Sequence, residues 1–490
     1  MARNSSSSKK PNPSAPLRTR TFTDRLAIGL IIGLIALGSL MPAFRALANV
    51  PYAGAYFYEL GNVLPNLRNP YFMIAELDVV GYYSYLRSLA IDHDLNFEND
   101  FTLFGWPSKG AEKTVTGLTA NPWSVGPALL WSPAFLAGHL YSLALNATGN
   151  PVPTNGVSFV YDFFIVYASM IYGLIGLIFL YFFLRFFFDP LKSFLALTIY
   201  FYASPLVFYQ FHEPTMSHTL TVFAAGGFLY LWYRNWLKKG LPDWCWLGLW
   251  AGLIALIRSQ DIFIFIIPAA AETLVLLRQK KKFDLGSLAG PALMVLIAFL
   301  CFTPQMLAWK VLYNSYITVP AGAGYMHWTS PALLEMLFST GHGLITWTPI
   351  ILLCLAGLFF YDRQLGGQKV LLGAFGLILL VEYYINSAAG DWSGGWAFGA
   401  RRFLSCSPIL AWGLGNLLNK TWGNKRVLYP LLAVCALLII FNLLFYVQWA
   451  YGLIDRGGPI PWQQYFAGKF DALLLWLKVI KYIFSLTFNL

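Results

Sequence analysis

The stretch PALLWSPAFLAGHLYSLAL, residues 127–145, decides the fold. It is apolar and close to the roughly 20 residues that a helix needs to cross a bilayer. If it crosses, every later loop changes side. The cationic groups Arg234/Lys238/Lys239, Arg278/Lys280/Lys281/Lys282 and Lys420/Lys425/Arg426 then face outward. If it lies flat on the membrane surface, all three groups fall on the cytoplasmic side, as the positive-inside rule expects. Pro127, Pro133 and His139 also suit a helix at the interface better than one in the bilayer centre. We therefore read this stretch as a surface helix.

Working outward, composition requires a membrane protein. The chain has 490 residues, of which 58% are hydrophobic and 11% charged. An ordinary soluble domain carries about 25% charged residues. Aromatics reach 18%, as suits lipid-facing helices with interfacial aromatic belts. The net charge of +11 comes from Lys and Arg collected in short loops, which argues against nucleic acid as a partner. The five Cys include no CxxC pair, so a disulfide or metal framework is not expected.

Residues 1–22 form a Ser-, Pro- and Lys/Arg-rich tail, read as disordered and cytoplasmic. The run at 25–47 is too long for a signal-peptide core and lacks a small-x-small cleavage site, so it is read as a retained first span. Further spans are expected at about 157–184, 191–209, 216–236, 243–257, 260–278, 286–312, 342–361, 368–385, 404–419 and 427–450. The run at 471–489 is either a twelfth span or, because of Lys478 and Lys481, an interfacial helix. The fold class is an all-α integral membrane bundle of about 11–12 transmembrane helices filling 23–490. Its first outer loop, 48–156, is long and carries surface helices. No internal repeat is evident. Charged residues within spans are few, Glu272 and Lys310 lying near span ends, so no intramembrane ionisable relay of the kind transporters use is expected.

Sorting the titratable residues by side gives an asymmetry. Asp78, Asp92, His93, Asp94, Asp100, His212, Glu213, His218, Asp261, His327, His342 and Asp391 fall outside or at outer span ends, with Arg258, Arg401 and Arg402. The topology used only Lys and Arg, so the placing of the His residues is independent of it. It points to a polar site at the outer membrane surface. The plainer reading is that longer outer loops collect polar residues.

Within that first outer loop, Val79, Tyr83, Leu86 and Ala90 recur at helical spacing. Asp78 stands at the start of that helix. It is placed to cap the helix or to act as a general base. The stretch Asp78-Val-Val-Gly-Tyr-Tyr83, following one span and a short cytoplasmic N-terminus, resembles the GT-C glycosyltransferases. Within them it is most similar to the protein O-mannosyltransferase and aminoarabinose-transferase branch. Asn121-Pro-Trp-Ser-Val-Gly-Pro-Ala-Leu-Leu-Trp-Ser-Pro133 resembles that branch's second surface helix. The resemblance implies a GT-C-like bundle, with Asp78 as general base. Val79 stands where an Asp-Glu pair would need a second acid, which leaves Glu76, Asp94 and Asp100 as rivals.

Three further pieces resemble bacterial membrane proteins of the same superfamily: His212-Glu-Pro-Thr-Met-Ser-His218, Arg258-Ser-Gln-Asp261, and Gly390-Asp-Trp-Ser-Gly-Gly-Trp-Ala-Phe-Gly-Ala-Arg-Arg402. The resemblance implies a donor sugar on polyprenyl phosphate or pyrophosphate, with the tail in the bilayer and the phosphate at the surface. Arg258, Arg401 and Arg402 are rare outer cations placed to bind that phosphate, or to snorkel or pair with a local carboxylate such as Asp261. Trp392 and Trp396 suit stacking on a sugar or isoprene unit, or membership of the aromatic belt. His212, Glu213 and His218 are a donor set for a divalent metal ion or for hydrogen bonds to sugar or acceptor. His342 and Asp391 reach the same surface. The implied activity is inverting transfer of a sugar to a protein, lipid or glycan acceptor on the outer side of a cell-envelope membrane. Compact size and short loops fit a bacterial inner membrane. A lipid-linked glycan ligase or polymerase is the nearer alternative, a transporter or flippase the further one.

Overall fold

The computed structural model describes residues 21–38, 77–279, 286–322, 324–361 and 368–488. The expected tail, the end of the first span and Glu76 lie outside the described residues. The architecture is carried by α1 (Phe22–Gly38), α2 (Leu77–Arg87), α3 (Gly126–Ala147), α4 (Phe159–Leu184), α5 (Pro190–Tyr202), α6 (Leu206–Phe211), α7 (Ser217–Arg234) and α8 (Leu241–Ile257). It continues with α9 (Phe263–Gln279), α10 (Gly286–Tyr313), α11 (Leu344–Trp347), α12 (Ile350–Leu358), α13 (Gln368–Ala388), α14 (Ser407–Thr421), α15 (Lys425–Ala450) and α16 (Trp462–Phe488). The described residues contain no strand. The protein is an all-α integral membrane bundle of the expected class. Among the described residues six helices are long and apolar enough to cross a membrane: α3, α4, the segment Ser259–Gln279 containing α9, α10, α13 and α15. Within the described residues the other expected spans are helical too, but shorter, broken or more polar. The segment 342–361, for instance, starts its helix only at Leu344 and is interrupted before Ile350, leaving His342 in the preceding loop.

Ion pairs mark two faces of the bundle. On one face Asp24, at the start of α1, meets Arg185, just past α4, at 2.6 Å. On the same face Lys239, before α8, meets Glu272 of α9 at 2.6 Å. The opposite face gathers the start of α7, the end of α8 and the loops 386–403 and 451–461. Here it is called the site face. Close packing follows from small residues: Gly248 and Gly252 of α8, four apart, face α10. A Cβ there would lie 2.8 Å from the Met294 carbonyl oxygen and 2.3 Å from Cβ of Cys301. Such small-xxx-small stripes let helices approach where no hydrophobic effect drives them together.

Helix α3 has the length and hydropathy of a span, and its contacts fix where its two ends lie. The Val125 amide, beside its start, donates to Gln305 Oε1 at 2.8 Å, and Ser124 Oγ donates to the Ile257 carbonyl at 2.6 Å. Both partners lie toward the site-face ends of their helices. From there α3 runs back along the first half of α4. Trp131 Nε1 donates to Ser169 Oγ at 2.8 Å, and His139 Nδ1 bonds the Tyr161 hydroxyl at 2.6 Å. These contacts hold both ends of α3 toward the site face.

Candidate active site

Helix α2 is apolar enough to be buried on all sides from Val79 to Arg87. The loop before α4 grips it: Tyr83 donates to the Gly156 carbonyl at 2.8 Å, and Arg87 Nε to that of Asn155 at 2.9 Å. Gly81 is required by its neighbour. A Cβ there would sit 2.1 Å from Trp123 Cε3 and 2.3 Å from Cδ2. The indole therefore lies flat on the helix, and its Nε1 donates to Asp78 Oδ1 at 3.0 Å.

The other oxygen of Asp78 receives Arg401. Nη2 of Arg401 lies 2.8 Å from Oδ2 and also donates to the Gly394 carbonyl at 3.2 Å. Its Nη1 faces the Met216 thioether at 3.9 Å, so that edge of the guanidinium makes only a weak bond. Asp78 thus lies in the first turn of α2 with both oxygens engaged by side chains from distant segments. Burial alone would lower the affinity of Arg401 for its proton, but the Asp78 carboxylate outweighs it and holds the guanidinium more firmly charged than usual.

Beside this pair, Tyr82 donates to Ser217 Oγ at 3.1 Å. Burial, then the Asp78 charge, pushes the Tyr82 phenol up to about 12. Ser217 leads to His218, whose Nδ1 is 3.0 Å from Arg258 Nη1. Arg258 Nε stands 3.7 Å from Asp261 Oδ2, an ion pair longer than a hydrogen bond. The local partner anticipated for Arg258 is there, but loosely. Arg402 pairs with Asp391 at 2.7 Å and donates to the Tyr325 hydroxyl at 3.2 Å; Tyr325 in turn hydrogen-bonds Asp391. Burial would raise the Asp391 carboxyl, but Arg402 outweighs it and the carboxyl sits below its usual range.

The structure therefore brings Asp78–Arg401, Arg402–Asp391 and His218–Arg258–Asp261 together at the site face, the three groups joined through the neighbours Arg401/Arg402 and Tyr82–Ser217/His218. His342 lies beside Ser393 of the glycine-rich loop and within the field of Arg401. Glu213 is buried and acts electrostatically on Arg401. His212 stands apart among the rings of Phe208, Tyr446 and Trp449, at 4.7, 5.5 and 5.7 Å. Among the described residues no three His, Cys, Asp or Glu side chains come together as a metal-holding group. The His212, Glu213 and His218 set expected from sequence is thus not assembled. The turn between α6 and α7 sends His212 to the aromatic wall and His218 to Arg258. Trp392 is half-buried, and Trp396 is 68% exposed.

Two rivals to Asp78 are occupied elsewhere. Asp100 is fully buried and pairs with Arg87 at 2.8 Å, and Arg87 also holds Asp92 at 2.6 Å. Arg87 is nine residues along α2 from Asp78, about 13 Å at 1.5 Å per residue. Asp94 accepts from Ser88 Oγ at 2.7 Å and from the Asn96 amide at 3.0 Å, which stabilises the turn after α2.

Sequence reasoning missed several residues. Tyr82 and Trp123 lay inside the quoted motifs and were not singled out. Ser217 and Met216 carry no chemistry-bearing signal by themselves. Glu382, within α13, corrects the expectation that span acids sit only near ends. It is fully buried, accepts from Asn386 Nδ2 at 3.3 Å, and interacts electrostatically with Asp261. One acid in an apolar run was the available signal.

No curated protein matches the chain. Residues 158–309, from the start of α4 through most of α10 and including His212, Glu213, His218, Arg258 and Asp261, match the family model described as dolichyl-phosphate-mannose-protein mannosyltransferase, a GT-C-type family of glycosyltransferases.

Proposed function

We propose that the chain is an inverting glycosyltransferase that moves a sugar from a polyprenyl-phosphate-linked donor to an acceptor on the non-cytoplasmic side of the membrane. The family match indicates a membrane glycosyltransferase; the donor, the side and the residue roles are this reading's own. The observation that carries it is the Asp78–Arg401 contact at 2.8 Å. It joins the one acid of the first-loop motif to a cation from a loop more than three hundred residues away, at the ends of membrane helices. A carboxylate oxygen accepts more than one hydrogen bond. Asp78, fixed by Trp123 and Arg401, retains capacity to take a proton from an acceptor hydroxyl. That hydroxyl attacks the anomeric carbon from the face opposite the leaving phosphate. Arg401, Arg402 and Arg258 lie where cations would offset the charge the phosphate gains. Lys and Arg at the opposite face, among them Arg185, Lys238, Lys239, Lys420, Lys425 and Arg426, support a cytoplasmic assignment for that face.

The test is sugar transfer from synthetic polyprenyl-phosphate sugars by purified protein, wild type against Asp78→Asn. Transfer abolished in the variant, with donor binding kept, supports the reading. Transfer that survives moves the base away from Asp78. Wild-type protein that neither binds nor turns over any polyprenyl-phosphate sugar refutes the donor class.

A further inference from the structure

His342 combines two features that each cost stability. His342 is 1% exposed, and its ring nitrogens have no hydrogen bond of normal geometry beyond a marginal approach to the Ser393 backbone, whereas buried polar atoms are nearly always paired. Its backbone has φ of 71°, a conformation that few non-glycine residues adopt, His, Asn and Asp more often than the rest. The flanking glycines explain how the strain persists. A Cβ on Gly343 would lie 2.6 Å from the Ser339 backbone nitrogen and oxygen, and one on Gly341 would lie 3.3 Å from the Pro459 nitrogen. The Gly343 amide also donates to the Ser339 carbonyl at 3.0 Å. The turn is thus wedged between two segments, with His342 at its apex. Over-determined strain of this kind collects at functional sites.

The surroundings define what the ring can recognise. One side packs on Trp347, with centroids 4.6 Å apart. The Ser393 backbone lies beside it, and Arg401 and Asp455 act on it electrostatically. Burial first, and then the Arg401 charge, pulls the imidazole down to about 4, so it is neutral at physiological pH. A neutral imidazole offers one donor and one acceptor. An anionic phosphate oxygen uses only the donor and is better matched by the neighbouring arginines. A hydroxyl uses both.

We propose that His342 is a specificity-determining residue that hydrogen-bonds a hydroxyl of the sugar being transferred. The proposal rests on the glycosyltransferase reading and adds the group that distinguishes a sugar-bearing lipid from a bare lipid phosphate. The experiment uses the full-length protein in detergent as wild type, His342→Gly and His342→Asn, both of which accommodate positive φ. Melting temperature is measured without ligand. Affinity is then measured for decaprenyl phosphate and for decaprenyl-phosphate mannose, glucose and galactose. The expected result is that both variants melt at or above wild type and bind bare decaprenyl phosphate as wild type does. Each should lose about 5- to 10-fold affinity for the preferred sugar-bearing lipid, the worth of one hydrogen bond. Variants that melt below wild type would assign the ring to packing and overturn the proposal. So would equal losses for bare and sugar-bearing lipid, or a wild type that binds all four alike. A wild type that binds none of the four refutes the donor class itself, a failure distinguishable from these.

Discussion

Gly81→Ala tests the packing that orients Asp78 without altering any charged group. The added Cβ would meet three atoms of the Trp123 indole at 2.1, 2.3 and 2.8 Å. Carbon atoms sit comfortably at about 3.5–4.0 Å, so the ring must withdraw by roughly 1.5 Å. The Nε1–Oδ1 hydrogen bond is 3.0 Å long, and withdrawal of that size takes it beyond hydrogen-bonding range. Overpacking costs about 1–3 kcal/mol and the lost hydrogen bond about 1 kcal/mol. Alanine's better helix propensity returns up to about 1 kcal/mol, leaving a net loss of about 1–3 kcal/mol. Misplacing a catalytic group by an ångström costs up to about 100-fold in rate, so transfer should fall about 10- to 100-fold. The control is Trp123→Phe, which removes the hydrogen bond without the clash. It should share the rate defect and keep more of the stability. Thermal melting and single-turnover transfer read the two effects separately. A Gly81→Ala protein with wild-type melting and rate would refute the packing argument. A slow Gly81→Ala beside a normal Trp123→Phe would refute the role of Trp123.

Other consequences concern residues whose roles the structure separates. Asp100→Asn strips the buried Arg87 of one of its two carboxylate partners, Asp92 remaining, and should destabilise the fold by about 2 kcal/mol, lowering the melting temperature. Asp94→Asn removes only a turn contact. It should leave the transfer rate within about twofold, and a large rate loss would restore Asp94 as a rival base. The Asp391 carboxyl has a lowered folded-state pKa. Its contribution is therefore present above the unfolded carboxylate value of about 3.9 and is lost as pH falls below it. Hydrogen exchange in residues 386–403 should accelerate in that acid window, and Asp391→Asn should produce the same acceleration at neutral pH.

Much of the fold was legible because membrane insertion writes itself into composition. Apolar runs and loop charge identified nearly every long helix, while α3, whose length alone suggests a span, is assigned to the surface by the charge rule. The gathering of Asp78, His218, Arg258, Asp261, Asp391, Arg401 and Arg402 near one another was legible by residue type, since the expected topology put all of them in segments of one side. Their pairing was not. Sequence left Arg258, Arg401 and Arg402 open to phosphate or to a local carboxylate and named a partner, Asp261, only for Arg258; the structure gives each a carboxylate, at 3.7, 2.8 and 2.7 Å. Which acid meets which base depends on how loops from distant spans converge, and spacing along the chain carries no such information. The metal set failed for the same reason: His212 and His218 are six positions apart but leave the turn in different directions.

Carboxylate partners on all three arginines change what donor binding must do. A phosphate arriving beside Arg401 competes with Asp78 for the same guanidinium. Any share of Arg401 drawn toward the phosphate leaves Asp78 Oδ2 less satisfied and better able to accept a proton from an incoming hydroxyl. Its other oxygen stays fixed by Trp123. The weakly engaged Nη1 edge of Arg401, facing only Met216, lets the guanidinium take on a second anion without first releasing Asp78. The same logic applies to Arg258, whose 3.7 Å contact leaves Asp261 with no full hydrogen bond from that side. Base and phosphate sites on this reading are coupled through shared cations, so Asp78→Asn should tighten binding of a bare polyprenyl phosphate by freeing Arg401, even as it removes the proton acceptor.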